Sequence, residues 1–140
     1  MCGIAGVFGA RAPQVVERML RVLAHRGPDD QHLVAGEGYT LGARRLSIID
    51  LEGGRQPLPG SPAAQGAGRV WVAQNGEFYS FRERREELRR QGHQFQTRCD
   101  TEVIAHLYEE HGQDFPCWIE GMFAISLWDE RRREGCLVRD

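Results

Sequence analysis

The sequence predicts a mixed α+β domain with several antiparallel strands and about three helices. Apolar residues recur at helical spacing in residues 15–23 and 103–107, whereas residues 122–128 alternate as they do in a strand. Strong turn signals separate these segments. The chain has 140 residues, of which 41% are hydrophobic, so it is long enough for one domain with a core and too short for two.

The first half of the chain predicts three strands and one helix. Residues 3–8 alternate small and branched apolar side chains, which indicates a buried strand that ends at Gly9. Pro13 suits the first turn of a helix, and the turn residues 26–29 follow that helix. Two further strands are predicted around residues 32–35 and 39–49.

The second half predicts a long loop, two helices and three strands. Residues 52–68 are rich in Gly, Pro, Ser and Ala and are typical of a functional loop. A strand over residues 69–74 is expected to stop at the turn pair Asn75-Gly76. Ser80 and Glu83 form a capping box for a helix that ends at Gly92, and Asp100 or Thr101 can cap the next helix, which ends at Gly112. The strands 122–128 and 136–139 complete the series.

Charge and hydropathy exclude several classes of function. A net charge of −2 and a pI near 6.2 give no electrostatic basis for binding nucleic acid or an anionic membrane. No apolar run approaches the ~20 residues that cross a bilayer, and the N-terminus does not resemble a secretory signal. We therefore predict a cytoplasmic protein.

The four cysteines do not form a metal or disulfide pattern. No C-x-x-C pair occurs, and no cysteine stands at zinc-finger spacing from the five histidines, so no metal site is predicted. In a reducing compartment these residues are expected to be free thiols. Three of them, Cys99, Cys117 and Cys136, are interpreted as small, partly buried apolar residues.

Cys2 differs from the other three cysteines because it follows the initiator methionine. Removal of Met1 would leave one residue with a thiol and an α-amine, whose usual pKa is about 7.7–8.0. Such an amine can act as a base near neutral pH and activate the thiol without a histidine. Taken alone, a cysteine at position 2 is weak evidence for a nucleophile and favours an incidental thiol.

Six short motifs occur in a fixed order along the whole chain. They are Cys2-Gly3-Ile4-Ala5-Gly6-Val7, His25-Arg26-Gly27-Pro28-Asp29, Arg45-Leu46-Ser47-Ile48-Ile49-Asp50, Asn75-Gly76-Glu77-Phe78-Tyr79, Thr97-Arg98-Cys99-Asp100-Thr101-Glu102 and Gly121-Met122-Phe123-Ala124. In this combination the chain resembles the N-terminal amidotransferase domain of asparagine synthetases, a class II, N-terminal-nucleophile glutamine amidotransferase. The resemblance implies an α+β fold of the αββα type, with two antiparallel sheets between helical layers. It implies one domain over residues 1–140, truncated at its C-terminus because the family continues with further strands.

The resemblance also implies the catalytic residues. Cys2 matches the nucleophile that attacks the side-chain amide of glutamine, which would yield glutamate and ammonia. Asn75, through its side-chain amide, and Gly76, through its backbone N–H, match the oxyanion hole of the family. The alternative reading of Asn75-Gly76, a plain hairpin turn, is reasonable for the dipeptide alone.

A second set of positions matches the substrate-binding residues of the family. Arg45 stands where a guanidinium would grip the α-carboxylate of glutamine. Asp100 stands where a carboxylate would hold the α-ammonium group, although it could also be a helix N-cap. The same resemblance assigns the remaining pocket positions to Leu46, Ser47, Ile48, Ile49, Asn75, Gly76 and Glu77.

Cofactors and partners follow from the resemblance as well. Asparagine synthetases pass the ammonia to a second domain that activates aspartate with ATP, and that domain carries a Ser-Gly-Gly-x-Asp-Ser type loop. No such loop occurs in this sequence, so no cofactor is predicted here, and ATP and magnesium are expected only in a synthetase domain. The expected partners are L-glutamine and that synthetase domain, and the chain could form a homodimer.

Three alternatives to glutamine-dependent asparagine synthesis stay open on the sequence alone. The domain could donate ammonia to an acid other than aspartate, as relatives in natural-product pathways do. It could also be an inactive scaffold or interaction module that keeps the fold without the reaction. A thiol redox protein is a third reading, which rests only on the terminal position of Cys2.

Overall fold

The chain forms two antiparallel β-sheets and three α-helices in a computed structural model that describes residues 2–50, 53–62 and 68–140. The first sheet has the strand order β1-β3-β2, and the second has the order β4-β5-β6-β7. The strands are β1 (Gly3–Phe8), β2 (Asp30–Gly36), β3 (Tyr39–Arg45), β4 (Leu58–Pro59), β5 (Val70–Phe78), β6 (Gly121–Asp129) and β7 (Glu134–Arg139). The helices are α1 (Pro13–Val22), α2 (Phe81–Arg90) and α3 (Asp100–His111), with 3₁₀ segments at Leu23–His25 and Gly112–Trp118.

The elements stack in four layers, which confirms the predicted αββα fold. Helix α1 packs on the first sheet, whose strands β1 and β3 also contact strand β5 of the second sheet. Helix α3 packs on the outer face of the second sheet, and α2 packs against α3. Each sheet therefore buries one face against helices and the other against its partner sheet, which is the usual way to cover two apolar sheet faces.

The helix–sheet contacts bury apolar side chains on both sides of the domain. Val16 and Leu20 of α1 are fully buried against β3, where Gly42 leaves room for them: a Cβ at Gly42 would lie 2.7 Å from the Leu20 side chain. On the other side, Val103, Ile104 and Leu107 of α3 pack with side chains of β5 and β6. Full burial of such a side chain stabilises the fold by about 1.5–3 kcal/mol.

Two strand ends differ from the prediction by four residues. Strand β3 ends at Arg45 rather than continuing to residue 49, because residues 46–49 leave the sheet as a loop. Strand β5 does not stop at Asn75-Gly76 but runs to Phe78, with Asn75 paired with Ala124 and Gly76 paired with Phe123 of β6. The turn reading of this dipeptide is therefore wrong.

The helices α2 and α3 begin close to the predicted positions, but their capping differs from the prediction. Ser80 is the N-cap residue of α2, yet its side chain makes no capping hydrogen bond. Cys99, not Asp100 or Thr101, is the N-cap residue of α3. Both glycines expected at helix ends have positive φ, 102° at Gly92 and 57° at Gly112, which suits a residue without a Cβ.

Several other expectations have a definite outcome. All four cysteines are free, but Cys117 is exposed rather than partly buried. The predicted loop over residues 52–68 contains the two-residue strand β4, while residues 52 and 63–67 lie outside the described part. Within the described residues, every helix is too short or too polar to span a bilayer.

Candidate active site

A cleft lies where the start of β1, the loop after β3, the end of β5 and the start of α3 meet. The space between its walls, about 530 Å³, includes open solvent, so the site is a partly open cleft rather than an enclosed cavity. Its lining residues are Cys2, Arg45, Leu46, Ile48, Ile49, Gln56, Gly76, Glu77, Cys99 and Asp100. Residues far apart in the chain thus converge on one concave surface.

Cys2 is placed by the pairing of β1 with β3. Gly3 of β1 is opposite Arg44 of β3 in that ladder, so Cys2, which precedes β1, lies beside the segment that follows β3. The Sγ atom of Cys2 is 3.9 Å from the carbonyl oxygen of Leu46, and the side chain is half-buried. The thiol is therefore oriented and still reachable from the cleft.

The loop after β3 is held by the Arg-Gly-Pro-Asp segment. The Asp29 carboxylate accepts a 2.8 Å hydrogen bond from the backbone N–H of Ser47, and the Asp29 N–H donates to the carbonyl oxygen of Arg45 at 3.1 Å. Gly27 lies so close to β3 that a Cβ there would be 2.4 Å from the carbonyl carbon of Arg44. Only glycine permits this approach, which brings Asp29 within reach of the loop.

Arg45 lies under the same loop and is only 5% exposed. Its Nη2 atom donates to the carbonyl oxygens of Ile49 and Asp50, each at 2.6 Å. The guanidinium therefore closes the loop from below and brings a permanent positive charge to the wall of the cleft.

Gly76 has a backbone that other residues cannot adopt. Its φ is 150°, and a Cβ would lie 2.0 Å from the carbonyl oxygen of Met122 on the neighbouring strand. Next to it, the Oδ1 atom of Asn75 is buried and has no hydrogen-bond partner among the described residues. Since buried polar atoms are rarely left unpaired, this amide is a candidate for contact with a ligand.

Asp100 is 6% exposed and begins α3. Its Oδ1 atom accepts a 3.0 Å bond from the N–H of Thr101, while Oδ2 accepts two longer bonds, 3.3 Å from the N–H of Phe78 and 3.4 Å from Nε2 of Gln74. These donors are all uncharged. A buried carboxylate held by long bonds to neutral donors is suited to a cationic ligand group.

Two residues that line the cleft, Cys99 and Gln56, are not among the site residues predicted from the sequence. Cys99 was interpreted only as an apolar residue, and it does form part of the wall. Burial, and secondarily the Asp100 carboxylate, raises the pKa of its thiol to about 12, so it stays neutral at physiological pH. Gln56, whose Oε1 accepts from the N–H of Gln74 at 2.6 Å, lies in the loop over residues 52–68 that the sequence marks as functional, although no motif singles out this residue.

The segment that leads into α3 is fixed from behind by two buried side chains. The Glu102 carboxylate accepts the backbone N–H groups of Gln96 and Thr97 at 2.7 and 2.8 Å. Arg85 of α2 donates to the carbonyl oxygens of Thr97 and Cys99 at 2.6 and 2.8 Å. Such rigid support fixes the position of Asp100 relative to the cleft.

Most of the predicted site residues lie together. Eight of the ten line the cleft, and the other two, Ser47 and Asn75, do not. Ser47 turns its N–H toward Asp29, as described above. Asn75 lies on a neighbouring depression that it shares with Gly76 and residues of β6 and β7.

Comparison with known sequences places the chain among amidotransferases. The family model described as "Glutamine amidotransferase domain" matches residues 1–140. Asparagine synthetase [glutamine-hydrolyzing] 2 of Bacillus subtilis is 39% identical over 149 residues, covering 100% of this chain and 19% of that protein. Asparagine synthetase [glutamine-hydrolyzing] 2 of Arabidopsis thaliana is 42% identical over 146 residues, covering 100% and 24%. The chain thus spans about a fifth to a quarter of the length of these relatives.

Solved structures support the same fold. The glutamine phosphoribosylpyrophosphate amidotransferase of B. subtilis, complexed with ADP and GMP, superposes with a TM-score of 0.80 at 21% identity, covering 100% of this chain and 37% of that one. At this identity the likeness concerns the fold alone. The family match over the whole chain, the identities near 40% and the N-terminal-nucleophile fold agree, and the chain belongs to the glutamine amidotransferase domain family.

Proposed function

We propose that residues 1–140 act as one glutaminase domain that hydrolyses L-glutamine to L-glutamate and ammonia. The observation that carries the proposal is the convergence of Cys2, Gly76 and Asp100, from three distant segments, on one cleft. These residues offer a nucleophile, an N–H donor and a carboxylate on one surface. This is what attack on the amide of a zwitterionic amino acid requires.

The proposed reaction begins with removal of Met1, which gives Cys2 a free α-amine. The amine takes the thiol proton, and the thiolate attacks the side-chain carbonyl carbon of glutamine. The carbon–nitrogen bond then breaks, and the protonated amine returns its proton to the leaving ammonia. Water hydrolyses the resulting thioester, which releases glutamate and restores the thiol.

The oxyanion of the tetrahedral intermediate needs hydrogen-bond donors at a fixed position. In our proposal the backbone N–H of Gly76 and the side-chain amide of Asn75 supply them. The buried Oδ1 atom of Asn75 is an acceptor without a partner among the described residues, and a flip of the amide would present its N–H donors at that position. Gly76 supports the assignment because its missing Cβ keeps the backbone close to β6.

Substrate binding would rest on two opposite charges. Arg45 brings the positive charge for the α-carboxylate of glutamine, and Asp100 brings the negative charge for the α-ammonium group. Glu77, Leu46, Ile48 and Ile49 would complete the walls, with Ser47 contributing through the loop that it anchors. A pair of oppositely charged side chains selects a free amino acid over a peptide-bound glutamine, whose α-groups are uncharged.

The fate of the ammonia is also a proposal. The relatives named above are glutamine-hydrolysing asparagine synthetases, so we propose that a synthetase domain uses the ammonia for asparagine biosynthesis in the cytoplasm. ATP and magnesium would act in that domain, and no cofactor is proposed within these 140 residues. A homodimer is compatible with this arrangement.

The test is an intact-mass measurement before and after incubation with a diazo-ketone analogue of glutamine. We expect loss of Met1 and a single adduct that excess glutamine prevents. The Cys2→Ala variant should take no adduct and release no glutamate, whereas Cys117→Ala, which removes an exposed thiol, should behave as the unaltered protein does. A processed, folded chain that takes no adduct at Cys2 would contradict the proposal and favour an inactive scaffold.

A further inference from the structure

A group of metal-binding side chains lies apart from the glutamine cleft. His106, on α3, is fully buried, and its Nδ1 atom is 3.0 Å from Oε2 of Glu109 on the next turn. His93, in the segment between α2 and α3, directs its own Nδ1 to within 2.9 Å of the His106 Nδ1 and 3.6 Å of the same Glu109 oxygen. None of these three residues lines the cleft.

Three potential ligand atoms therefore lie within 3.6 Å of one another. Two neutral imidazole nitrogens at 2.9 Å repel each other unless a proton or a cation lies between them. The Nε2 atom of His93 is 2.7 Å from the Glu110 carboxylate, and in the neutral ring this contact favours the tautomer with the proton on Nε2, whose Nδ1 lone pair can bind a cation. The sequence motifs account for none of these contacts.

The geometry of the three atoms suits a small divalent ion. A point equidistant from them lies about 1.9 Å from each in their plane, so an ion at the zinc–nitrogen distance of about 2.0–2.1 Å fits just off that plane. We propose that His93, His106 and Glu109 form a binding site for a first-row divalent transition-metal ion, with Zn²⁺ as the ion that this two-imidazole, one-carboxylate donor set suits.

The surroundings have the features of a built metal site. The Glu110–His93 pair is the carboxylate–histidine contact that orients a ligating imidazole. Ser61 Oγ donates to Oε2 of Glu109 at 2.7 Å and lies 3.4 Å from the His106 Nδ1, beside the fourth coordination position. The side chains of His93 and Glu109 are 10% and 11% exposed, so an ion can enter from their side.

The site joins α3 to the segment that precedes it, whose Phe95 also packs on His106 with ring centroids 4.3 Å apart. His93 lies just before the residues that Glu102 and Arg85 fix, and His106 and Glu109 lie on α3. Bound metal should therefore stabilise the segment between α2 and α3 and raise the melting temperature of the whole chain by mass action. This inference does not depend on the proposed glutaminase activity.

The experiment is a zinc titration of the full chain, stripped of metal, by calorimetry with a competing chelator. We expect one Zn²⁺ per chain and a rise in the melting temperature. His93→Gln and Glu109→Gln should weaken binding by roughly 100-fold or more, and Glu110→Gln by about 10–100-fold. The matched control is His111→Gln, because His111 ends the same helix but stacks on Trp118. The affinity of this variant for Zn²⁺ should equal that of the unaltered chain.

Cobalt separates this site from the free thiols. Co²⁺ bound at the proposed site should show d–d bands without a sulfur-to-cobalt charge-transfer band, since the donors are nitrogen and oxygen. Three outcomes would overturn the inference: no zinc binding by a chain with native circular dichroism, equal affinity in His93→Gln, or a charge-transfer band lost in a cysteine variant. The first would indicate that protons alone hold the cluster together.

Discussion

Asp50 and Arg98 connect the two loops that flank the cleft. The Oδ2 atom of Asp50 accepts a 2.7 Å hydrogen bond from the backbone N–H of Arg98, and its Oδ1 accepts one of 2.9 Å from the N–H of Gly53. These bonds lower the pKa of the Asp50 carboxyl, so it is ionised at neutral pH. The loop that follows Arg45 and the segment that leads into Asp100 are thereby held at a fixed separation.

We therefore expect Asp50→Asn to act on substrate binding rather than on chemistry. An amide presents only one acceptor oxygen and no charge, so one of the two backbone N–H groups loses its acceptor and the other keeps a neutral one. The KM for glutamine should rise roughly tenfold, as for loss of ~1.5 kcal/mol, with kcat within about twofold of normal. Steady-state glutaminase assays measure both. A fall in kcat at unchanged KM would mean that Asp50 does not act by positioning.

The assignment of Asn75 predicts the opposite division between the two constants. Asn75→Ala removes a donor aimed at the oxyanion and leaves the charged groups that bind glutamine in place. We expect kcat to fall by about two to three orders of magnitude with little change in KM. Asn75→Asp, which keeps the size but offers a negative charge, should be at least as slow. Normal turnover in both variants would exclude Asn75 as an oxyanion donor and leave only Gly76 of the two proposed donors.

The role proposed for Asp100 can be isolated from catalysis in a chain that cannot turn over. Glutamine binding to Cys2→Ala by calorimetry gives the reference affinity. Addition of Asp100→Asn should weaken it by about 10–150-fold, because a charge-assisted hydrogen bond contributes ~1.5–3 kcal/mol. Asp114→Asn, which alters an exposed carboxylate, is the control and should change nothing. Equal affinities in all three proteins would remove Asp100 from the binding site.

Glu130 predicts a pH dependence of stability. Its carboxylate accepts hydrogen bonds from the Tyr39 hydroxyl at 2.6 Å, the Arg69 N–H at 2.7 Å and the Trp71 ring N–H at 3.2 Å, which joins the two sheets. Burial acts to raise the pKa of Glu130, but these hydrogen bonds outweigh it and hold the pKa below its ordinary value. The ionised form is therefore favoured in the folded state.

A carboxyl with a lowered pKa stabilises the fold above its unfolded-state pKa, and that contribution is lost as pH falls through the folded-state value. Glu130→Gln should therefore be less stable than the unaltered chain by about 1–2 kcal/mol at pH 7. The difference should shrink below about pH 4. Urea unfolding at several pH values measures it, with the exposed Glu134→Gln as control. A difference independent of pH would mean that shape rather than charge matters at this position.

The helices and most strands were predictable because their signals are local. Pro13 marks the start of α1 by itself. The apolar spacing of α1 and α3 and the alternation of β6 follow the period of a helix or a strand, and can be recognised without knowledge of the fold. The two strand boundaries that the sequence misplaced both lie at the site. Asn75-Gly76 has the composition of a turn, but its pairing with β6 overrides that local preference because Gly76 fits where a Cβ would collide with Met122.

By itself the sequence determined the chemistry available: a thiol at position 2, an amide and glycine side by side, and one arginine and one aspartate of opposite charge. Only the tertiary structure decided which of these groups share a surface. That Gln56 and Cys99 join the cleft, that Asp50 connects its two sides, and that His93 faces His106 all depend on contacts between distant segments. Spacing along the chain does not encode such contacts, because they arise from the packing of sheets and helices.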